Sequence, residues 1–475
     1  MAIDDNQVEK IVREVVNNLF ASVGTSSLKT SPVSYASSAS GNGLFEKMED
    51  AIAAAKAAQK RYVELGRNAR FAIVEAIRKA ALADKERLAK MCVEETKMGR
   101  VADKIVKNEV AALFSAGPEY LEITSYANEK GIVTIEGAPF GVIGAIAPMT
   151  NPVPTIINNT ISMISAGNAV VYMPHPAAHN VTLEIFKIVH NAIVSAGGPS
   201  NLITAATRSK MENAAAVFKS PDIDLICVTG GPGVVRLAMK SGKRVMGAGP
   251  GNPPVIVDDT ADIDKAAADI VFGATFDNNI LCNEEKICIT TRNVIDKLLA
   301  AFSRSNAVVL NDEQAKRVVD IVVREGEIVK SYMGKNCDVI LKDAGITVDQ
   351  AIRLAVFIAP EDHPMVQHEQ LMPVLPIVVV DSFEEAVNVA IRVEHGFKHT
   401  AIIHSNNIER ITRFAQSINT TFTIVNGASQ SLAAEAYKGG TTWTIAGATG
   451  EGVTTPRTFV RERRLVVNGG MNFVK

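Results

Sequence analysis

Cys282 stands in FDNNILCNEEK, a polar, non-periodic stretch between the helical pattern AAADIVFGA and an alternating KICIT segment. Backbone amides in such a loop can stabilise a thiolate, which makes Cys282 the best candidate nucleophile; a structural thiol is the alternative. The other cysteines read as core: Cys92 lies in a helical pattern, Cys227 in DLICVTG and Cys288 in KICIT, while Cys337 in GKNCDVI has no activating neighbour in sequence. Asn151 follows the apolar run GVIGAIA and precedes TIINNTISMISAG. At such a strand-to-helix turn its amide can donate to an oxyanion, or its side chain can cap the helix with Pro152 at the first helical position.

Two glycine clusters could approach a ligand closely. TGGPG, Thr229 to Gly233, follows the strand-like DLICV and precedes VVRLAMKSG, so its amides can meet a pyrophosphate. It is not GxGxxG, because Arg236 holds the third glycine position. GAGPGNPP, Gly247 to Pro254, allows backbone passage beside a ligand; a plain tight turn is the alternative for both clusters. The eight histidines show no metal-ligand spacing, and neither a GxSxG elbow nor a GxxxxGK[ST] loop occurs, so no catalytic metal is expected.

These groups need a scaffold. Leu44 to about Ala116 reads as Ala-rich helices, after which buried strand-like runs (Gly141 to Ala147, Ala169 to Met173, Leu202 to Ala206, Leu225 to Val228, Val255 to Val257) alternate with helical stretches. Such alternation predicts a parallel sheet covered on both faces, and a second α/β series runs from about Thr260 to about Asn426. Lys130 to Glu136 and Thr458 to Val467 are more polar and far apart, and could form a separate pairing surface. Asp4 to Ala21 places Val8, Ile11, Val12, Val15, Val16, Leu19 and Phe20 at helical spacing. Ser22 to Gly43, with 14 of 22 residues Ser, Gly, Thr or Pro, reads as a flexible tether.

At 475 residues the chain exceeds a single core, and 47% hydrophobic with 21% charged residues excludes wholesale disorder. A net charge of −2 argues against a nucleic-acid partner or an anionic membrane surface. No apolar run approaches the ~20 residues of a membrane span. The acidic start and five sparse cysteines predict a reducing, cytoplasmic setting.

Taken in order, GVIGAIAPMTNPVPTIIN, AGNAVVYMPHP, VTGGPGVV, GAGPGNPP, FDNNILCNEEK, EQLMPVLPIV and GATGEGVTTPRTFVRERR resemble the aldehyde dehydrogenase superfamily, in particular its CoA-acylating branch from bacterial microcompartments. The resemblance runs from about Leu44 to the C-terminus and is nearest to the propionaldehyde enzymes of propanediol utilisation, with the acetaldehyde enzymes close behind. It implies two Rossmann-type α/β domains and a β-flap for oligomerisation, divided as an NAD(P)-binding domain at 44–256 with a flap strand near 119–137, a catalytic domain at 257–439 and a C-terminal flap segment at 440–475. It further implies Cys282 as nucleophile, Asn151 as oxyanion amide, Glu369 as the glutamate that orients the nicotinamide ribose, and Thr229, Gly230 and Gly231 as the pyrophosphate turn.

The departures matter as much. Hydrolytic members carry a glutamate in an ELGG segment as base for water, where this chain has MGAGPGNPP without a carboxylate. Their KPxE motif is replaced by MPHP, which leaves Pro174 and His175 as cofactor contacts, His175 alternatively structural, and NAD versus NADP open. The implied reaction is oxidation of a short aldehyde, propanal first, to acyl-CoA with NAD and coenzyme A. A homo-oligomer, dimer or tetramer, is expected, and residues 4–21 resemble encapsulation peptides that would bind shell or core proteins of a microcompartment. A hydrolytic dehydrogenase and a non-catalytic assembly component are the competing readings.

Overall fold

The computed structural model describes residues 42–209, 211–433 and 440–469. The first sheet runs in the order Leu44–Phe45, Ile203–Ala206, Ala169–Met173, Val142–Ile146, Leu225–Thr229 and Arg244–Ala248, with all neighbours parallel. Its central strands read as continuous apolar runs because helices cover both faces. Helix Pro152–Ser165 is buried at every residue, which is why its sequence is apolar or small all round rather than striped. It packs against helices Val101–Phe114, Gly66–Ala83 and His179–Ser195.

The second sheet runs Ala307–Val309, Leu354–Ile358, Val374–Val380, Ile287–Thr291, Pro254–Val257, Thr400–His404 and Phe422–Val425, again all parallel. This corrects one expectation. The apolar run at Val255 to Val257 reads in sequence as part of the first α/β series, and a boundary after residue 256 cuts the strand Pro254–Val257. Its residues pair with Ile287–Thr290 on one side and Ile402–His404 on the other, so the strand opens the second unit. Apolar period identifies a buried strand but not the sheet it joins.

The expected pairing of the two polar segments is present: Val460–Asn468 lies antiparallel to Gly131–Pro139, with Thr124–Asn128 on the other edge. This small sheet exposes Tyr126, Leu465 and Val466. At the other end, Gly43 belongs to the fold rather than to the tether, since its carbonyl accepts the Ala205 N–H at 2.9 Å. A Cβ there would lie 2.7 Å from the Ile203 carbonyl oxygen and φ is +75°. The helix expected at residues 4–21 and the tether up to residue 41 lie outside the described residues. Among the described residues no helix is long and apolar enough to cross a membrane.

Candidate active site

In the first sheet the chain leaves Val142–Ile146 toward one edge and returns to Leu225–Thr229 on its other side. The carboxyl ends of those two strands flank the switch point where open α/β sheets bind ligands. Asn151 follows one of them and Thr229–Gly231 the other. The second sheet contributes from the amino ends of its strands: Cys282 just precedes Ile287–Thr291, Glu369 precedes Val374–Val380, and Gly251 precedes Pro254–Val257. The two sets of ends meet around one cavity of about 900 Å³, which all eight candidate site residues line, Pro174 and His175 included.

Asn151 occupies the N-cap position of helix Pro152–Ser165, yet its side chain makes no capping bond. Instead Oδ1 accepts a hydrogen bond from Lys107 Nζ at 2.6 Å, and Nδ2 is left with only a long bond to Thr150 Oγ1, 3.3 Å. The amide therefore retains donor capacity at Nδ2, and Asn151 lines the cavity, as an oxyanion donor requires.

Cys282 is only partly exposed, whereas Cys92, Cys227, Cys288 and Cys337 are buried. Three consecutive left-handed residues, Asp277, Asn278 and Asn279, turn the chain into its loop, a conformation that Asp and Asn tolerate better than other side chains. Every one of them is anchored: Asp277 by Lys104 and Lys107, Asn278 by the Gly334 carbonyl, and Asn279 by the carbonyls of Ala274 and Glu285. Lys286, fully buried, closes the loop by donating to Asn279 O, Asn279 Oδ1 and Leu281 O at 2.6–3.0 Å. Desolvation, reinforced by Glu369, pushes the Cys282 thiol up to about 12, with Lys286 opposing. Burial raises Glu369 to about 7, and its Oε1 accepts the Gly251 N–H at 3.4 Å.

The turn after Leu225–Thr229 leads straight into helix Pro232–Met239, with Gly231 at the N-cap. The Gly230 N–H already donates to the Ala248 carbonyl at 3.1 Å, so Gly231 and the first helical turn supply the donors that face a ligand. A Cβ on Gly231 would meet nothing within 4 Å, leaving room for a pyrophosphate to approach the backbone. His175 does two things: Nδ1 accepts the Ala177 N–H at 3.1 Å as a cap, and the ring lines the cavity. Burial, then Lys330, pulls its imidazole down to about 4, so it is neutral at physiological pH.

Lys97, Lys107, Arg236, Lys330 and Lys335 line the cavity, and among the described residues Glu369 is its only carboxylate. The excess of cations suits ligands bearing several phosphates, so the residues present fit a dinucleotide and coenzyme A. Beside Cys282 the wall is apolar, built from Met98, Ile280 and Leu281 with Met149, Met333 and Trp443 packed against them. No group of three or more His, Cys, Asp or Glu among the described residues could hold a metal ion.

Three residues that shape the site, Lys107, Lys286 and His399, carry no local signal in the sequence, and a fourth, Gly251, carries only that of its glycine run. Lys107 sits in a helical pattern that looks solvated, and Lys286 follows two glutamates in what looks like a charged run; both are buried. His399 lies behind the nucleophile loop, its Nε2 buried without a hydrogen-bond partner, and burial pulls it down to about 3. Gly251 permits that packing, since a Cβ there would fall 2.3 Å from the Cys282 carbonyl oxygen and 3.1 Å from the His399 ring.

The aldehyde dehydrogenase family model matches residues 39–456, and the chain belongs to that family. A propanal dehydrogenase (CoA-propanoylating) of Citrobacter freundii is 42% identical over 91% of this chain and 94% of its own length. Among solved structures, a propionaldehyde dehydrogenase from the Clostridium phytofermentans fucose utilisation bacterial microcompartment is 40% identical and superposes with a TM-score of 0.89, covering 91% of this chain and 100% of its own. The Rhodopseudomonas palustris propionaldehyde dehydrogenase, solved with bound CoA and an acylated cysteine, is 38% identical with a TM-score of 0.89 over 91% of this chain and 100% of its own.

Proposed function

We propose that this chain oxidises propanal to propanoyl-CoA through a thioester on Cys282. It is a CoA-acylating aldehyde dehydrogenase: a short aldehyde and coenzyme A are its substrates and NAD its cofactor. The observation that carries the residue assignment is the convergence of Cys282 and Asn151, from different sheets, on one cation-lined cavity whose only described carboxylate is Glu369.

The Cys282 thiolate adds to the aldehyde carbon, and the carbonyl electrons move onto oxygen to give a thiohemiacetal oxyanion. Asn151 Nδ2 donates to that oxygen where the charge develops. Thr229, Gly231 and the first turn of helix Pro232–Met239 hold the dinucleotide pyrophosphate, Pro174 and His175 border its ribose end, and Glu369 orients the nicotinamide ribose. A nicotinamide bound there would supply the hydride acceptor that oxidation of the thiohemiacetal to the thioester requires. The CoA thiol, having lost its proton to water, attacks the acyl carbon as thiolate, the acyl–Cys282 bond breaks, and Cys282 leaves as thiolate. Thiols reach their anion near neutral pH far more readily than water does, so a cavity with one carboxylate suffices for thiolysis and serves hydrolysis poorly. The apolar wall of Met98, Ile280 and Leu281 suits an alkyl group on the aldehyde.

NADH formation from propanal and from acetaldehyde, each with and without CoA, followed by intact-mass detection of acyl-Cys282, tests this reading. Sustained turnover without CoA would reject thiolysis, and an acyl adduct that persists in Cys282→Ala would reject the nucleophile. Residues 4–21 act as an encapsulation peptide that places the enzyme inside a cytoplasmic microcompartment, and the small exposed sheet joins copies of the chain into a dimer or tetramer. The microcompartment origin of the C. phytofermentans relative and the amphipathic pattern of residues 4–21 support this. Removing residues 1–41 should abolish co-purification with shell proteins while NADH formation persists; retained co-purification rejects the tag.

A further inference from the structure

Helix Val101–Phe114 sends Lys104 and Lys107, adjacent turns on one face, beneath the nucleophile loop, where they are 3% and 2% exposed. Both ammonium groups reach Asp277 Oδ2, Lys104 at 2.9 Å. Asp277 Oδ1 accepts the Arg100 N–H at 2.7 Å, and the Asp277 N–H donates to Asp103 Oδ2 at 3.0 Å. Only Lys107 goes further, to Asn151 Oδ1 at 2.6 Å. It also lines the cavity.

A side-chain amide is a two-fold rotor with a broad torsional well, and its two ends are opposite in sign. Flipped, Asn151 would present oxygen to an oxyanion and repel it. A lysine can only donate, so a lysine bonded to one end of the amide makes that end the oxygen. The other end is then the donor. Burial pulls Lys107 below the usual lysine range while Asp277 pulls it back; the lock belongs to the ammonium form, which the Asp277 carboxylate beside it favours and which has no lone pair to accept from a flipped amide.

We propose that Lys107 is a positioning residue that locks the Asn151 amide with Nδ2 toward the cavity and ties it, through Asp277, to the loop carrying Cys282. The oxyanion donor belongs to the first sheet and the nucleophile to the second; Lys104, Arg100 and Asp103 also hold Asp277, but none of them has a hydrogen bond to Asn151. The Lys107 bridge fixes the spacing of donor and nucleophile locally. This rests on the reading of Asn151 as the oxyanion donor.

A double-mutant cycle on the full chain tests it. The rate of the acylation burst with propanal is measured for Asn151→Ala, Lys107→Met and their combination, alongside KM for propanal and NAD. Lys107→Met is expected to slow acylation about 10- to 100-fold with both KM values within about threefold, the scale of a misplaced reacting group. On the Asn151→Ala background the same substitution is expected to cost less than about threefold, because the amide through which it acts is gone. Lys104→Met removes a neighbouring ion pair on Asp277 but not the Asn151 bond, so any slowing of acylation it causes should be smaller than that of Lys107→Met and should persist undiminished on the Asn151→Ala background. Lys107→Arg keeps the charge against Asp277 but cannot place a single N–H at the Nζ position; it serves if the Met variant does not fold, and its loss must likewise vanish beside Asn151→Ala. Losses that multiply, or a Lys107→Met burst within threefold of the parent while Asn151→Ala is slow, overturn the proposal alone. A normal burst in Asn151→Ala overturns the oxyanion reading beneath it.

Discussion

Alkylation of Cys282 by iodoacetamide measures how firmly the cavity keeps the thiol protonated. With the thiol pushed up to about 12 by desolvation and Glu369, the thiolate fraction at pH 8 is about 10⁻⁴, against about a quarter for a free cysteine near 8.5. Forming the anion at that pH then costs about 5 kcal/mol, at 1.36 kcal/mol per unit. A more basic thiolate is the better nucleophile, by about 0.4–0.5 of each unit, which returns roughly 1.6 of the 3.4 decades lost. Cys282 should therefore react about 50- to 100-fold more slowly than free cysteine at pH 8. Its rate should climb close to tenfold per pH unit through pH 10, where a free thiol has levelled off. Modification followed by intact mass, with Cys282→Ala as the blank for the four buried cysteines, gives the profile. A plateau below pH 9, or a rate equal to that of free cysteine, would refute the argument that burial and the Glu369 charge control the nucleophile.

The same carboxylate links activity to stability. Glu369 is raised to about 7 by burial, so between about 4.5 and 7 the folded chain keeps a proton that the unfolded chain releases, and stability falls as pH rises through that window, by up to roughly 3 kcal/mol. Glu369→Gln should lose this part of the pH dependence in urea unfolding at pH 5 and pH 8, and should speed Cys282 alkylation above pH 7; identical pH dependence in both proteins contradicts the shift. Gly251→Ala places a methyl group 2.3 Å from the Cys282 carbonyl oxygen, which is backbone and must move. An acylation loss of tenfold or more is expected together with about 1–3 kcal/mol of destabilisation by denaturant; wild-type burst kinetics would show that the loop tolerates displacement.

Local patterns already carried much of this molecule. The apolar runs at Val142–Ile146, Ala169–Met173 and Leu225–Thr229 announced buried parallel strands, since a strand covered on both faces has no polar side to show. Ordered motifs around Asn151, Thr229, Cys282 and Glu369 marked one family and one chemistry. Asn151 shows where that legibility stops: the N-cap position is readable from TNPVP, but the bond that occupies its side chain comes from Lys107, 44 residues upstream.

The type and order of the elements, the candidate nucleophile and the absence of a carboxylate from MGAGPGNPP are therefore legible along the chain, because each follows from near neighbours. Folding in three dimensions is what joins Pro254–Val257 to the second sheet, buries Lys107 and Lys286 beneath a loop of left-handed residues, and lets Gly251 pack between the Cys282 carbonyl and the His399 ring. Those outcomes depend on which distant groups share a desolvated space, and charge along a chain does not reveal whether water or a carboxylate will surround it.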